Sequence, residues 1–272
     1  KIGLISFEKG DFERAATEFN LVLAGDPDND RARYYLGATY VEMKADDKAL
    51  ESFERVSEKS ELFLDSRVQV AYLYDRKEQT QKAIEVLQGV LKKGNDRKEI
   101  YAFLSSLYRK TKEYPKAIQA MEQVVSLDPK NDEAHFQLGA LYDENKNKEK
   151  SVANMKKAIE LNPKNAAALN YLGYTWAEMG VQLDDAEDLI QRALSIQPDD
   201  GFYIDSLGWV YYQKGEYPKA VEYLERAVEI TGDDPTIIEH LGDAYEKAGR
   251  PDRALIRYRA ALKLTKETDQ NK

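Results

Sequence analysis

Little in this chain is equipped for bond-making chemistry. Its 272 residues include two histidines and no cysteine, which removes disulfides and thiol catalysis. His135 occupies a bulky slot four residues before Gly139 and is expected to pack, while His240, adjoining Leu241, is expected to make a side-on polar contact. Neither belongs to an HExxH pattern or another clustered ligand set, so a transition-metal site built from the chain is not expected. The stretch Asp26-Pro27-Asp28-Asn29-Asp30 has the acid spacing of a calcium loop. However, Arg31 stands where such a loop turns on glycine, and Gly37 where it closes on glutamate. Paired aspartates at 46–47, 184–185, 199–200 and 233–234 all fall in expected turns, where they read as helix caps rather than as acid and base. There is no glycine-rich phosphate loop. The residues point to a non-catalytic protein with no metal and no cofactor.

What the chain does carry is a period. Ala15, Ala49, Ala83 and Ala117 stand 34 residues apart, and Ala186, Ala220 and Ala254 resume the same step, with Ser151 the one exception. The phase shift between the two series falls in Gly180-Val181-Gln182-Leu183-Asp184-Asp185, a lengthened turn. A fixed period of this size signals stacked units, each too small to bury its own core. Within a unit the first half carries an apolar stripe at helical spacing, as in Ile204, Leu207, Gly208 and Tyr211. The second half does the same with Ala220, Leu224 and Ala227. Small residues at Gly37 and Ala49 let two helices approach, and Tyr40 and Phe53 fill the space beside them. Pro115, Pro218 and Pro251 follow the inner turns, near the first turn of a second helix where a missing N–H costs little.

From Gly37 the chain reads Tyr40, Ala49, Phe53 and Val56; from Gly139 it reads Tyr142, Ser151, Met155, Ala158 and Pro163; from Gly242 it reads Tyr245, Ala254, Tyr258 and Ala261. This pattern resembles the tetratricopeptide repeat family along the entire chain. The departures are greatest in the third unit, where Ala71 replaces the glycine and Asn95 the closing proline. The resemblance implies an all-α, right-handed solenoid of about eight helix-turn-helix units forming one array. The units run approximately 1–29, 30–63, 64–97, 98–131, 132–165, 166–200, 201–234 and 235–264, and 265–272 is expected to be a polar, frayed tail. Gly3 already fills the glycine slot, so an upstream segment is expected. At the other end Arg253, Arg257 and Arg259 are expected to keep the outer face of the last helix polar.

In tetratricopeptide arrays a second stripe on each first helix faces a concave groove. The resemblance places Tyr34, Tyr72, Phe136, Asn170, Tyr174, Phe202, Asp205, Trp209, Tyr212 and Glu239 there. Phe202, Asp205, Trp209 and Tyr212 follow one another at i, i+3, i+7 and i+10, beside the packing stripe rather than within it. Exposed aromatic residues in a row suit the holding of a polypeptide. Groove charge is uneven, with Arg76, Arg109 and Lys110 early and Asp143, Glu144, Glu178, Asp205, Glu239, Asp243 and Glu246 late. That asymmetry is expected to align an extended ligand, with an acidic group near Arg76 and Arg109 and an aromatic or basic stretch over the last four units. No lysine occupies the slots three residues before the glycines, which argues against a clamp for chaperone C-terminal carboxylates.

A formal charge of −9, with 49 acidic residues against 40 basic ones, disfavours nucleic acid as a partner. No run approaches the roughly 18 apolar residues of a membrane span. The stretch 168–174, then Asp185-Ala186-Glu187, then Tyr203-Ile204-Asp205-Ser206-Leu207-Gly208-Trp209, resembles bacterial cell-envelope tetratricopeptide lipoproteins and adaptors. That similarity implies a periplasmic or outer-membrane-associated location rather than the cytoplasm. The function implied is a scaffold or adaptor that binds a protein or peptide. Self-association, or service as the interaction part of a longer enzyme, are the alternatives.

Overall fold

The computed structural model describes residues 1–94, 96–232 and 234–270; Asn95, Asp233 and the last two residues of the expected tail lie outside the described residues. The described residues form sixteen α-helices and no strand, grouped into two compact units, Lys1–Asp128 and Pro129–Lys272. The first unit holds α1 (Ile2–Glu8), α2 (Phe12–Gly25), α3 (Asp30–Glu42), α4 (Asp46–Glu54), α5 (Phe63–Arg76), α6 (Thr80–Leu91), α7 (Lys98–Lys110) and α8 (Tyr114–Leu127). The second holds α9 (Asp132–Glu144), α10 (Lys148–Leu161), α11 (Ala166–Met179), α12 (Leu183–Ile196), α13 (Gly201–Gln213), α14 (Tyr217–Thr231), α15 (Pro235–Lys247) and α16 (Pro251–Gln270).

Each odd-numbered helix packs on the even-numbered one that follows it, and the pairs stack in order within their unit. The pair is closed at the glycine slot. A Cβ built on Gly37 would lie 2.9 Å from the Phe53 ring, and one on Gly208 would lie 2.7 Å from Leu224 Cγ. The periodic alanines are sealed at that contact, with Ala15, Ala49, Ala83, Ala117, Ala186 and Ala220 wholly buried. Ser151 is equally buried.

Each turn inside a pair repeats one backbone device. The N–H five residues past the packing tyrosine of the pair closes the helix end, as in Ala45 N–H to Tyr40 O at 2.8 Å and Glu216 N–H to Tyr211 O at 2.9 Å. The preceding residue is left-handed: Gly10, Gly215 and Gly249 in three pairs, but Lys44, Glu78, Lys112 and Lys146 in four others. The lengthened turn places both Gly180 and Gln182 in that region.

The packing tyrosines tie one pair to the next. Tyr74 donates to Glu54 at 2.7 Å, Tyr108 pairs with Gln88 at 2.6 Å, and Tyr245 donates to Glu225, each partner lying 20 residues earlier on the preceding second helix. A cation eight residues later roofs each ring: Lys48 over Tyr40, Lys82 over Tyr74, Lys116 over Tyr108, Lys150 over Tyr142, Lys219 over Tyr211 and Arg253 over Tyr245.

Three expectations need correction. Asp46–Asp47 and Asp184–Asp185 are not caps, because Ala45 and Gln182 hold the cap positions. The acids sit within the first three residues of the helix, where they offset its positive end. From there they pair with Arg76, Lys77 and Lys214, 30 residues on. Asp200 and Asp234 do cap, each accepting two backbone N–H bonds. The last helix continues to Gln270 through the expected polar tail, and its outer face is mixed, since Leu255, Ile256 and Leu262 are exposed beside Arg253 and Arg259.

Gly208→Ala is expected to destabilise the chain by about 1–3 kcal/mol, because the new methyl has nowhere to go. Lys146→Gly should instead stabilise it by about 0.5–1 kcal/mol by relieving a left-handed residue. Urea unfolding followed by far-UV circular dichroism measures both signs.

Candidate functional site

Of the twelve nominated residues, Tyr34, Tyr72, Arg76 and Arg109 lie in the first unit, and the second unit holds the other eight. Its first helices touch one another directly, α11 with α13 and α13 with α15, so side chains from three successive pairs share one face. The centre is a stack of rings. Trp209 lies on Tyr212 with centroids 4.6 Å apart and planes 5° off parallel, and its other side lies on the His240 imidazole at 4.2 Å and 20°. Tyr217 meets Tyr212 edge-on at 5.7 Å. Tyr174 of α11 approaches His240 of α15 to 6.5 Å across α13. Two helices that flank a third can bring rings this close only if the face curves inward, so within this unit the first-helix face is concave.

His240 is held from below. Its Nδ1 lies 2.9 Å from Asp205 Oδ1 and 3.2 Å from Oδ2, and the two residues are 8% and 6% exposed. Burial pushes the imidazole pKa down, but the Asp205 hydrogen bond and charge, joined by Asp243 and Glu178, outweigh it, and the net shift is upward. The same acids act on the tyrosines. Burial, then Glu178 and Asp205, raise Tyr174; burial, then Asp243, Tyr217 and Glu246, raise Tyr212. Two polar atoms of this face, Trp209 Nε1 and Asn170 Oδ1, are shielded from solvent without a hydrogen-bond partner among the described residues.

The nominated residues thus fall into several classes. Trp209, Tyr212, Tyr174 and Asn170 are half-buried on the shared face, and Phe202 and Glu239 are exposed, Phe202 by 58%. Asp205 is not a groove-facing carboxylate; it lies beneath the rings as the partner of His240. Phe136 on α9 packs edge-on against Tyr171 at 6.1 Å, and Tyr171 donates to Asp143 at 2.7 Å. In the first unit Tyr34 meets Phe53 and Tyr35 edge-on and lines a cleft of about 290 Å³ with Asp65, Val68 and Ile100. Tyr72 is 49% exposed beneath Arg76. Arg76 is committed to Asp46 and so is no bare cation awaiting an acidic ligand group. Arg109 is exposed near the end of α7.

His240 makes the polar contact expected of it, to Asp205, and was missed only as a member of this face, stacked on Trp209. A signal for it existed, since it stands 35 residues after Asp205, one period plus one, in the next first helix. His135 is buried and bridges Asn154 and the Pro129 carbonyl, the packing role its slot implied.

The upward shift has a definite sign. The His240–Asp205 bond contributes stability fully below the ordinary histidine value of about 6.5 and loses it as pH rises through the higher folded value. In a Trp176→Phe background, the emission of Trp209 should titrate with a midpoint above about 6.5. Asp205→Asn should move that midpoint below the wild-type one, since burial is then opposed only by the charges of Asp243 and Glu178; an unmoved midpoint would contradict the assignment.

Family models described as TPR repeat match residues 106–146 and 208–249, and others described as tetratricopeptide repeat match 6–69, 132–165 and 237–272. The TPR repeat-containing protein PA4667 of Pseudomonas aeruginosa is 41% identical over 56 residues, 21% of this chain and 10% of that protein's length. Among solved structures, a tetratricopeptide repeat protein from Parabacteroides merdae aligns with a TM-score of 0.69 at 18% identity, covering 86% of this chain and 93% of that one. PilW, a type IV pilus biogenesis factor, aligns at 0.63 and 19%, covering 73% and 91%. The MamA protein aligns at 0.51 and 27%, covering 64% and 94%. At identities below a fifth, the first two similarities concern fold.

Proposed function

The chain belongs to the tetratricopeptide repeat family, and from that premise we propose that it is a non-catalytic scaffold or adaptor that holds a protein segment on its first-helix faces. The observation that carries this reading is the stack in the second unit. Trp209 and Tyr212 lie on the concave face, half-buried but not sealed, and Phe202 stands exposed on the same helix stripe. Aromatic groups held rigid before binding lose little freedom when a partner arrives.

The catalytic alternative gains no support from the residues brought together. The His240–Asp205 pair shares the Nδ1–carboxylate bond of a catalytic relay. Its imidazole, however, is 8% exposed and stacked on the indole ring, which leaves little room for a substrate beside it. Among the described residues no group of three or more histidine, aspartate or glutamate side chains could hold a metal ion, and no helix is long and apolar enough to cross a membrane. The partner is therefore proposed to be a polypeptide. An envelope location rests on the similarity of 168–209 to envelope adaptors.

A photo-crosslinking residue placed at Phe202 should give adducts to protein partners in cells that natively express the chain. The same residue at Arg192, on the outer surface of a second helix, should give none. Phe202→Ala should weaken capture without moving the thermal midpoint, whereas Trp209→Ala should lower both, because it also dismantles a stack worth about 0.5–1.5 kcal/mol per ring pair. Equal crosslinking from the two positions would refute the reading.

A further inference from the structure

The number of cations on the first helices differs sharply between the two units. In the first unit, α3 carries Arg31 and Arg33, α5 carries Arg67 and Arg76, and α7 carries Lys98, Arg109 and Lys110. In the second unit, α9, α11 and α13 contain no lysine or arginine at all, and α15 has only Lys247, its last residue. The cations of this unit are placed instead on the second helices, as with Lys156 and Lys157 on α10, Arg192 on α12, and Lys219 and Arg226 on α14.

The acids of the concave face are also uncompensated. Asp205, beneath the rings, is held by His240, and among the described residues no lysine or arginine pairs with Glu178, Asp243 or Glu246. Tyrosine hydroxyls serve them instead: Tyr174 donates to Glu178 at 3.1 Å, and Tyr258 donates to Asp243 at 2.7 Å and to Glu246 at 3.1 Å. A hydroxyl satisfies a lone pair but leaves the charge in place. The field therefore reaches the rings between these acids, raising His240, Tyr174 and Tyr212 together. Elsewhere in the same unit acids are neutralised in the ordinary way, Asp143 by Lys148 and Glu187 by Lys214.

We propose that the concave face of the second unit, around Phe202, Tyr212, Glu178, Asp243 and Glu246, binds an arginine-bearing polypeptide segment. This rests on the interaction reading above and names its partner chemistry. Charge complementarity selects a cation, because the like-charged carboxylates gain from any positive group brought between them. The aromatic lining selects arginine over lysine. A guanidinium lies flat on a ring while its N–H groups fork to a carboxylate, and it is less costly to desolvate than an ammonium. The indole faces are already taken by Tyr212 and His240, so the rings available to the guanidinium are Tyr212, Tyr174 and Phe202.

The test uses the whole chain and four fluorescein-labelled dodecapeptides of alternating Gly-Arg, Gly-Lys, Gly-Gln and Gly-Glu, followed by fluorescence anisotropy. Gly-Arg should bind at least about tenfold tighter than Gly-Gln and about threefold tighter than Gly-Lys, and weaken between about 50 and 500 mM salt. Asp243→Asn combined with Glu246→Gln keeps acceptors for Tyr258 and should lower Gly-Arg affinity at least about threefold. Glu229→Gln on α14 should leave it unchanged. Equal binding of Gly-Arg and Gly-Lys overturns the arginine assignment. Equal binding of Gly-Gln, lost in Phe202→Ala, overturns the cationic partner while sparing the groove. Binding that is indifferent to Phe202→Ala and to both amide substitutions overturns the groove reading itself.

Discussion

The close approach of two helix axes at the glycine slot is the constraint from which the rest of this structure follows. At Gly37, Gly139, Gly208 and Gly242 a single methyl group would lie within 3 Å of Phe53, Met155, Leu224 and Tyr258. A helix pair closed this tightly is thin and buries only one stripe of itself, so it must stack on another pair to be stable. Stacking in turn sets the first helices of the second unit side by side, and α11, α13 and α15 become the walls of one face.

That geometry assigns two different tasks to the aromatic residues. Tyrosines three residues after the glycine are locked by a hydroxyl bond backward and a cation overhead, which fixes the register between pairs. Rings one and four residues after it look the other way. In the second unit Trp209 and Tyr212 pile up with His240, which stands two residues before Gly242 of the next pair, and Asp205 fixes the imidazole from beneath. A buried histidine–aspartate pair is weak evidence of added stability, since desolvation offsets much of the attraction. Its structural effect is to hold the imidazole parallel to the indole, so that the stack presents one rigid surface.

Much of this was legible from the residues. The 34-residue step of alanines marked the helix pairs, because only a small side chain such as alanine or the serine at 151 fits that contact, and Tyr40, Tyr108 and Tyr245 were readable as packing groups from their slot alone. The face of α13 was legible too, since Phe202, Trp209 and Tyr212 are too large to be accidental beside a complete packing stripe. What spacing within one helix could not convey was depth. Asp205 and Trp209 stand four residues apart on one stripe, yet one is buried and the other half-exposed, because His240 of α15 reaches over from the next pair. The Asp46–Asp47 and Asp184–Asp185 pairs were misread as caps for a similar reason: the boundary of a helix is set by the preceding turn, and a one-residue displacement turns a cap into a first-turn acid. Arg76 looked available because its counter-charge, Asp46, lies 30 residues away in sequence.

Hydrogen–deuterium exchange of the whole chain, with and without saturating Gly-Arg dodecapeptide, probes the central idea most directly. A concave anionic face built from first helices requires new protection in α11, α13 and α15, centred on 202–212 and 239–246, with α12 and α14 unchanged. Protection confined to the second helices, or spread evenly over both units, would contradict it.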